Sequence, residues 1–271
     1  MGFNNLVSIF EDTQKVIEQC HSFMTKTQQS IEKTIVYKEN FVCEEKIVRS
    51  ETIDNIIVVP ASTYECALNL VRNGRKHIAV LNFANPYEPG GGVKRGARAQ
   101  EECLCRCSNL YNVISNTKCE SEYYEFHKAN KGYLFSDRVI YSPDIIVLKN
   151  DDYELLENSF NVDVITCAAP YNVYGHNVDV LKTTYKSRIK NILEVAIENG
   201  VDTIVLGAFG CGAFHNPPQL MAEAFKSILV DEQYAKYFGA VYFAIIKPKS
   251  AFDRNLQIFT EILDSNSGRR G

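Results

Sequence analysis

Two glycine-rich segments of this chain each follow directly on a short, continuously apolar run. The first run, HIAVLNFA at residues 77–84, leads into PYEPGGG, and the second, TIVLGA at 203–208, leads into FGCGAFHNPP. Such runs are typical of strands buried on both faces, as in the parallel sheets of α/β proteins. Open α/β sheets bind ligands where these strands end. The pattern therefore predicts an α/β fold whose two glycine loops form a ligand site.

Helices and strands are predicted to alternate along the rest of the chain. Apolar residues at helical spacing predict helices over residues 4–23, 62–73, 100–113 and 183–200. Strand-like runs occupy residues 55–59, 139–150, 162–170 and 239–247. Asn216 is expected to cap a further helix with Pro217 in its first turn, and a short helix closes the chain. This order predicts a sandwich in which helices cover both faces of a mixed sheet.

Length and composition describe one globular domain. The 271 residues contain no internal repeat and no Pro/Ser-rich linker, so we expect a single domain over 1–271, with 1–50 as a helical extension packed on it. The 33 acidic residues outnumber the 29 Lys and Arg, which gives a net charge of −4 and argues against general nucleic-acid binding. Nine cysteines without framework spacing indicate free thiols in a reducing compartment, and no apolar run is long enough to span a bilayer. An intracellular location with no membrane contact is expected.

The glycines point to an anionic ligand. Glycine lets the backbone approach a ligand closely and direct N–H groups at it. In the second loop the helix predicted near Pro217 would add its positive N-terminal end. Either loop alone is more often a tight turn, but two loops of this kind in one α/β chain indicate a diphosphate. The glycines concerned are Gly90, Gly91, Gly92, Gly207, Gly210 and Gly212.

Glu101 and Glu102 open the helix that follows the first glycine loop. Acidic residues are favoured at a helix N-terminus, so a solvated cap is the simplest interpretation of this pair. Their position directly after the glycines favours a functional one. A carboxylate in an enclosed, apolar site has a raised pKa and can donate a proton to a departing oxygen.

Several motifs, in the same order, resemble those of the bacterial-type poly(ADP-ribose) glycohydrolases, members of the macrodomain fold. The likeness covers almost the whole chain, from SIFEDTQKVI near the N-terminus to the second glycine loop. It implies a macrodomain-like three-layer sandwich that hydrolyses the ribose glycosidic bond of ADP-ribosyl groups. The motifs are LNFANPYEPGGG, seven residues and then QEE, the AQEECL segment with SNLY, IYSP at 140–143, CAAP at 167–170 and LGAFGCGAFHNPP at 206–218.

The resemblance implies a role for each site residue. Glu102 corresponds to the catalytic glutamate, Glu101 to the neighbour that holds the ribose hydroxyls, and Asn85 to the asparagine on the terminal ribose. Gly90 to Gly92 correspond to the catalytic loop, and Gln100 is placed with the ligand-binding residues. The diphosphate loop is Gly210, Cys211, Gly212, Ala213 and Phe214, with Phe214 against the ribose.

No metal or cofactor is expected, and the expected partner is ADP-ribose or an ADP-ribosylated protein or polymer. A nucleic acid is expected as a partner only if it carries the ADP-ribose. The chain is expected to be a monomer. Two alternatives stay open. One is a hydrolase for single ADP-ribose groups on protein or nucleic acid, and the other is a non-catalytic ADP-ribose reader, against which the intact glutamate pair argues.

The cysteines of CLCRC could suggest zinc. Cys103 and Cys107 share a helix face, whereas Cys105 points away, so the three thiols do not converge as tetrahedral ligands must. We therefore expect these residues to be small core residues. Cys211 is expected to fill the backbone loop rather than act as a nucleophile, and His215 is expected to be a loop residue.

Overall fold

A computed structural model describes residues 3–51, 55–172, 175–247 and 254–264. Within these ranges seven strands form one mixed sheet, in the order β1-β4-β5-β3-β6-β7-β2. β5, β3, β6, β7 and β2 run parallel to one another, and β4 and β1 continue the sheet with antiparallel pairings. The strands are β1 Ile35–Tyr37, β2 Ile56–Val59, β3 Ile78–Phe83, β4 Val139–Lys149, β5 Leu155–Cys167, β6 Thr203–Leu206 and β7 Ala240–Ala244.

Helices cover both faces of this sheet, as predicted. One large core cluster joins the sheet to α8, α9 and α10, and the other joins the opposite face to α3, α4 and α5. The helices are α1 Phe3–Gln19, α2 His21–Lys33, α3 Thr63–Arg72, α4 Gln100–Cys107, α5 Leu110–Ile114, α6 Thr117–Cys119, α7 Glu125–Ala129, α8 Val178–Glu198, α9 Pro218–Lys226 and α10 Asn255–Leu263. A π-helical turn, Glu120–Tyr124, joins α6 to α7. No helix in the described part of the chain is long and apolar enough to cross a membrane.

The two glycine loops leave the same edge of the sheet. β3 and β6 are hydrogen-bonded neighbours that run parallel, with Ile78 paired to Thr203 and Val80 to Val205. Their carboxyl ends therefore lie side by side, and the loops that follow them are adjacent. Side chains along β3 alternate between the two cores, since Leu81 packs in one cluster and Val80 in the other. Burial on both faces explains why Ile78–Phe83 is apolar apart from Asn82.

The N-terminal segment departs from its prediction. The helix expected over residues 4–23 ends at Gln19, and a second helix runs from His21 to Lys33. Residues 1–50 were expected to be helical, yet Ile35–Tyr37 form an edge strand that pairs with β4. The β-branched and aromatic residues of this Ile-Val-Tyr run favour a strand, and their pairing to β4 incorporates the segment into the sheet.

The helix predicted over residues 100–113 is interrupted at Ser108. That residue is extended, with φ −150°, and forms an isolated bridge to Val147 of β4. Its hydroxyl donates to the Leu104 carbonyl and accepts the Leu110 N–H. Asn109 accepts the Ile146 N–H at 2.8 Å. The bridge from Ser108 and the bond that Asn109 accepts from Ile146 tie this break to β4, in place of the contacts of a continuous helix.

Candidate active site

The N-terminus of α4 holds the glutamate pair against the first glycine loop. Ala99 is the N-cap, which places Glu101 and Glu102 in the first turn of the helix. Both side chains are buried, with 2% and 7% of their surface exposed. The helix dipole favours negative charge there. The solvated-cap interpretation is therefore wrong for this pair, because a cap in solvent would not be buried.

Both carboxylate oxygens of Glu101 are held by the protein. Oε2 accepts the Asn85 N–H at 2.7 Å, and Oε1 accepts Nδ2 of Asn82 at 3.2 Å. Burial raises the pKa of Glu101, and the neighbouring Glu102 adds to the increase, whereas the two donors oppose it; the net result is a pKa of about 8. Glu101 is thus fixed in position, and burial favours its protonated form.

Glu102 is held on one side only. Oε1 accepts the Gly92 N–H at 2.8 Å, whereas the buried Oε2 has no hydrogen-bond partner among the described residues. The loop closes tightly on this carboxylate, since a Cβ on Gly91 would lie 2.5 Å from Oε1. Gly91 also has φ +55°, which favours glycine. A buried oxygen without a partner is costly unless a ligand satisfies it, so Oε2 is available to a bound ligand.

Asn85 and Gln100 connect β3 to this site in different ways. The Asn85 side chain accepts the Tyr87 and Glu88 N–H groups through Oδ1, and Nδ2 makes no hydrogen bond within the described chain. Gln100 accepts the Phe83 N–H and donates to the Leu81 carbonyl. Its amide therefore fixes the start of α4 against β3. The predicted ligand contacts of both residues stay predictions.

Arg106 supports the catalytic loop from behind, a role that the sequence analysis did not identify. Its guanidinium is fully buried and donates to the Ala97 carbonyl at 2.8 Å. The Ala97 N–H in turn donates to the Gly92 carbonyl, and the Gly92 N–H donates to Glu102. A chain of hydrogen bonds thus joins Arg106 to the carboxylate one turn before it. The available signal was one arginine at helical spacing from Glu102.

The second glycine loop is held by Asn216. Asn216 was predicted to cap the next helix, but the N-cap of α9 is Pro217. Instead, the buried Asn216 amide donates to the Pro170 and Gly210 carbonyls and accepts the Tyr185 hydroxyl. Gly210 has φ +72°, and a Cβ there would lie 2.4 Å from Asn216 Nδ2. No other residue would fit this close approach, so the asparagine and the glycine fix the loop together.

Consecutive N–H groups of this loop are available to an anion. Those of Gly212, Ala213 and Phe214 make no hydrogen bond within the described residues. Gly212 and Ala213 are exposed, and a Cβ on Gly212 would meet nothing within 4 Å. Successive free N–H groups in a turn form a concave anion site. The loop is therefore suited to a diphosphate, and the contacts predicted for Gly210 to Phe214 stay predictions.

Aromatic side chains join the two loops. Phe135 packs on Tyr87 of the first loop, with ring centroids 5.7 Å apart, and on Phe214 of the second, at 6.1 Å. Tyr171 packs edge-on against Phe214 at 5.5 Å. The segment that carries Phe135 is fixed by buried Arg188, whose guanidinium donates to the Leu134 carbonyl at 2.9 Å. This segment packs between the two loops, a contact that the motifs did not indicate.

Of the three CLCRC cysteines that were expected to be core residues, two are buried and one is not. Cys105 and Cys107 are buried, and burial raises the pKa of both thiols, but Cys103 is only half-buried. Burial also raises the pKa of Cys211, so its thiol is protonated at neutral pH and is a weak nucleophile. In the described ranges no three His, Cys, Asp or Glu side chains are grouped so as to hold a metal. His215 is an exposed loop residue with φ +57°.

The order of the seven strands, the helices on both faces of the sheet and the two adjacent glycine loops are those of a macrodomain-like α/β protein. The chain belongs to the family described as microbial-type PARG, catalytic domain, which matches residues 6–150. This confirms the resemblance inferred from the motifs. No curated protein sequence matches the chain significantly.

Solved bacterial structures agree with this assignment over nearly the whole chain. The poly(ADP-ribose) glycohydrolase of Thermomonospora curvata is 28% identical, with a TM-score of 0.86, and the match covers 95% of this chain and 99% of that one. The same enzyme bound to the inhibitor ADP-HPD matches with a TM-score of 0.84 at the same identity and coverage. The Deinococcus radiodurans enzyme in complex with ADP-ribose is 27% identical, with a TM-score of 0.76 and coverage of 89% and 97%.

Proposed function

We propose that this protein is a poly(ADP-ribose) glycohydrolase, which cleaves the ribose glycosidic bond of ADP-ribose polymers and releases ADP-ribose. One observation carries the proposal. The buried Glu102 Oε2 has no partner among the described residues, and it lies beside a glycine loop adjacent to a second loop with free N–H groups. A carboxylate poised in this way next to an anion site suits cleavage at a ribose that carries a diphosphate.

In the proposed reaction Glu102 gives its proton to the glycosidic oxygen as the bond to the anomeric carbon breaks. The electron pair of that bond leaves with the oxygen, and positive charge develops on the ribose. Water then attacks the anomeric carbon, and its proton passes to Glu102, which restores the carboxylic acid. The Gly92 N–H, 2.8 Å from Oε1, keeps the carboxyl group oriented throughout.

The other residues are proposed to hold the substrate. Glu101 would bind the ribose hydroxyls at an orientation fixed by Asn82 and Asn85. The free N–H groups of residues 212–214 would bind the diphosphate, and Phe214 would pack against the ribose. Fixing both ends of the ADP-ribose presents the anomeric carbon to Glu102, so positioning supplies much of the rate acceleration.

The open alternatives differ in what the site must do. A reader needs the two loops but no reacting group, and the buried free oxygen of Glu102 argues against it because binding alone gives that oxygen no purpose. A hydrolase for single ADP-ribose groups would use the same carboxylate on another leaving group. Comparing release of ADP-ribose from polymer and from mono-ADP-ribosylated protein separates these two activities.

The proposal is tested by Glu102→Gln. Glutamine keeps the size and the bond to Gly92 but transfers no proton, so single-turnover release of ADP-ribose from polymer should fall about 100-fold or more. Calorimetric binding of ADP-ribose should persist. Glu18→Gln, an exposed change on α1, is the matched control and should leave both unchanged. Near wild-type turnover in Glu102→Gln would falsify the catalytic assignment.

A further inference from the structure

A cationic side chain lies exposed directly after the catalytic loop, Gly90 to Gly92. Arg95 ends the 3₁₀ turn Val93–Arg95, between the three glycines and α4. Its side chain is 67% exposed, and Nη2 lies 2.7 Å from Oε2 of Glu88, which is also exposed. The proposed mechanism gives this ion pair no role.

The guanidinium lies on the same side of the loop as the proposed catalytic carboxylate. A Cβ placed on Gly92 would be 3.6 Å from Glu102 Oε1 and 3.9 Å from Arg95 Nη2. The two charged groups therefore flank one point of the backbone. Lys94, the neighbouring cation, is directed elsewhere, because its Nζ lies 4.8 Å from the ring centroid of Tyr111, which packs on α1.

Glu88 is a weakly held counter-ion for Arg95. An ion pair in which both side chains face water contributes little to stability, since solvent screens it and two long side chains must be ordered. A phosphate offers arginine a charge-assisted, bidentate partner of higher charge. Arg95 can thus exchange Glu88 for a phosphate at small cost to the fold.

We propose that Arg95 binds the diphosphate of the leaving ADP-ribose unit, and this rests on the proposed function. In the proposed function, the ADP-ribose bound across the two loops would place its own diphosphate at the free N–H groups of residues 212–214. The oxygen that Glu102 protonates belongs to the next unit of the polymer. A cation beside Glu102 would therefore contact the diphosphate of the leaving unit and not that of the ADP-ribose bound across the two loops. The net charge of −4 disfavours a nucleic acid as the source of this phosphate.

Two substrates with the same leaving nucleoside test the proposal. One is a two-unit ADP-ribose oligomer, and the other is ADP-ribose joined to the 2′-hydroxyl of adenosine, which lacks phosphate on the leaving side. The measured quantity is the ratio of kcat/KM for the first substrate to that for the second. Arg95→Gln should lower this ratio on the order of tenfold, because a charge-assisted contact to phosphate is lost. Added salt should narrow the difference between wild type and variant.

Glu88→Gln should change the ratio of the two kcat/KM values in the opposite direction. It removes the competing carboxylate but keeps the backbone bonds of residue 88, so the ratio should rise severalfold. Arg72→Gln, at the far end of α3, is the matched control and should leave the ratio unchanged. Melting temperatures establish that all three variants fold.

Several outcomes would overturn the proposal. If the ratio is unchanged in Arg95→Gln, the proposed role of Arg95 is wrong and the proposed glycohydrolase function still stands. If the wild-type protein is inactive on both substrates, the role of Arg95 and the glycohydrolase function are both wrong. A loss in both Arg95→Gln and Glu88→Gln would show that the pair only holds the loop. Inhibition by single-stranded DNA that disappears in Arg95→Gln, with hydrolysis of the oligomer unaffected, would assign the guanidinium to nucleic acid instead.

Discussion

Two adjacent glutamates with the same chemistry are divided between two tasks by their hydrogen bonds. Asn82 and Asn85 hold both oxygens of Glu101, whereas Gly92 holds one oxygen of Glu102 and leaves the other free. A group that must position a ligand benefits from being fixed. A group that must exchange a proton needs one oxygen unoccupied by the protein. The geometry thus supports the roles inferred from resemblance.

The buried acid at residue 101 should make stability depend on pH. Its pKa is raised from 4.5 to about 8 in the folded state, so the folded protein binds the proton more tightly than the unfolded chain does. Stability from this group is complete below about pH 4.5 and is lost as pH rises through 8, on the order of a few kcal/mol. Glu101→Gln removes the titration.

The measurement is the free energy of unfolding of both proteins between pH 5 and 9. The stability of Glu101→Gln minus that of the wild type should rise from pH 5 to about pH 8 and then level off, because Glu101 is ionised in both states above its folded pKa. A constant offset from the lost hydrogen bonds does not alter this shape. Glu18→Gln controls for loss of an exposed carboxylate. A flat difference would mean that the Glu101 pKa is close to its ordinary value.

Gly91→Ala should damage the site more than the fold. The new Cβ would lie 2.5 Å from Glu102 Oε1 and 3.1 Å from Glu101 Oε2, at a backbone with φ +55°. Displacing both carboxylates should lower turnover about 100-fold, since small errors in the position of catalytic groups have large effects. Gly132→Ala, where nothing lies within 4 Å, is the control. Turnover and melting temperature are measured for both, and equal turnover in the two variants would contradict the predicted contact.

Among single residues, the sequence indicated the groups that meet the ligand better than the groups behind them. Glu101, Glu102 and the glycines were identifiable because the two glutamates follow directly on a glycine loop, and because this order of motifs resembles that of a known family. Asn82 was the only polar residue in a buried run, a signal that was present but not used. The roles of Arg106 and Arg188 could not be assigned, because both depend on tertiary contacts. Each arginine donates to a backbone carbonyl that carries no sequence signal, and their side-chain partners Tyr153 and Asp137 lie far away in sequence.

At the scale of elements, α4 and the catalytic loop behave as one unit through Arg106. Arg106→Met should let the loop relax, because the Ala97 carbonyl loses its donor and the bond from Gly92 to Glu102 weakens. We expect kcat to fall about tenfold or more while ADP-ribose still binds, since the second loop does not touch Arg106. Single-turnover rates and calorimetry measure the two effects separately.

A milder change tests the same unit without leaving a buried carbonyl unsatisfied. Tyr153→Phe removes the hydroxyl that accepts Arg106 Nε at 3.3 Å. It should lower kcat by less than Arg106→Met and leave the melting temperature nearer that of the wild type. If Arg106→Met lost stability but kept its kcat, the arginine would support the fold alone.

Elements were predictable where local pattern and tertiary contacts agree. Buried strands such as β3 and β6 appeared as apolar runs, and the capping box of Ser62 and Glu65 marks the start of α3. β5 begins at Leu155, seven positions before the predicted residue 162, because Glu157, Asn158 and Ser159 in its first half are polar and exposed. The break at Ser108 was missed because it depends on a bridge to β4, which no local pattern shows.

At the scale of the whole molecule, three loops converge because three parallel strands end together. β5 lies beside β3, and its following residues support the second loop, since the Pro170 carbonyl accepts Asn216 Nδ2 at 2.7 Å. A ligand bound across this edge, as proposed, would contact loops that lie between residues 85 and 214. It should therefore stabilise the fold as a whole.

ADP-ribose should raise the melting temperature more than AMP does. Only ADP-ribose has the distal ribose for the glutamates and the second phosphate for the N–H groups of residues 212–214. At about 100 times its Kd it adds roughly 2.7 kcal/mol to stability, which is several degrees for a chain of this size. Gly212→Asp should reduce the shift, because its Cβ meets nothing in the protein while its carboxylate repels the diphosphate. Gly132→Asp controls for the added charge, and equal shifts with AMP and ADP-ribose would contradict a ligand that spans both loops.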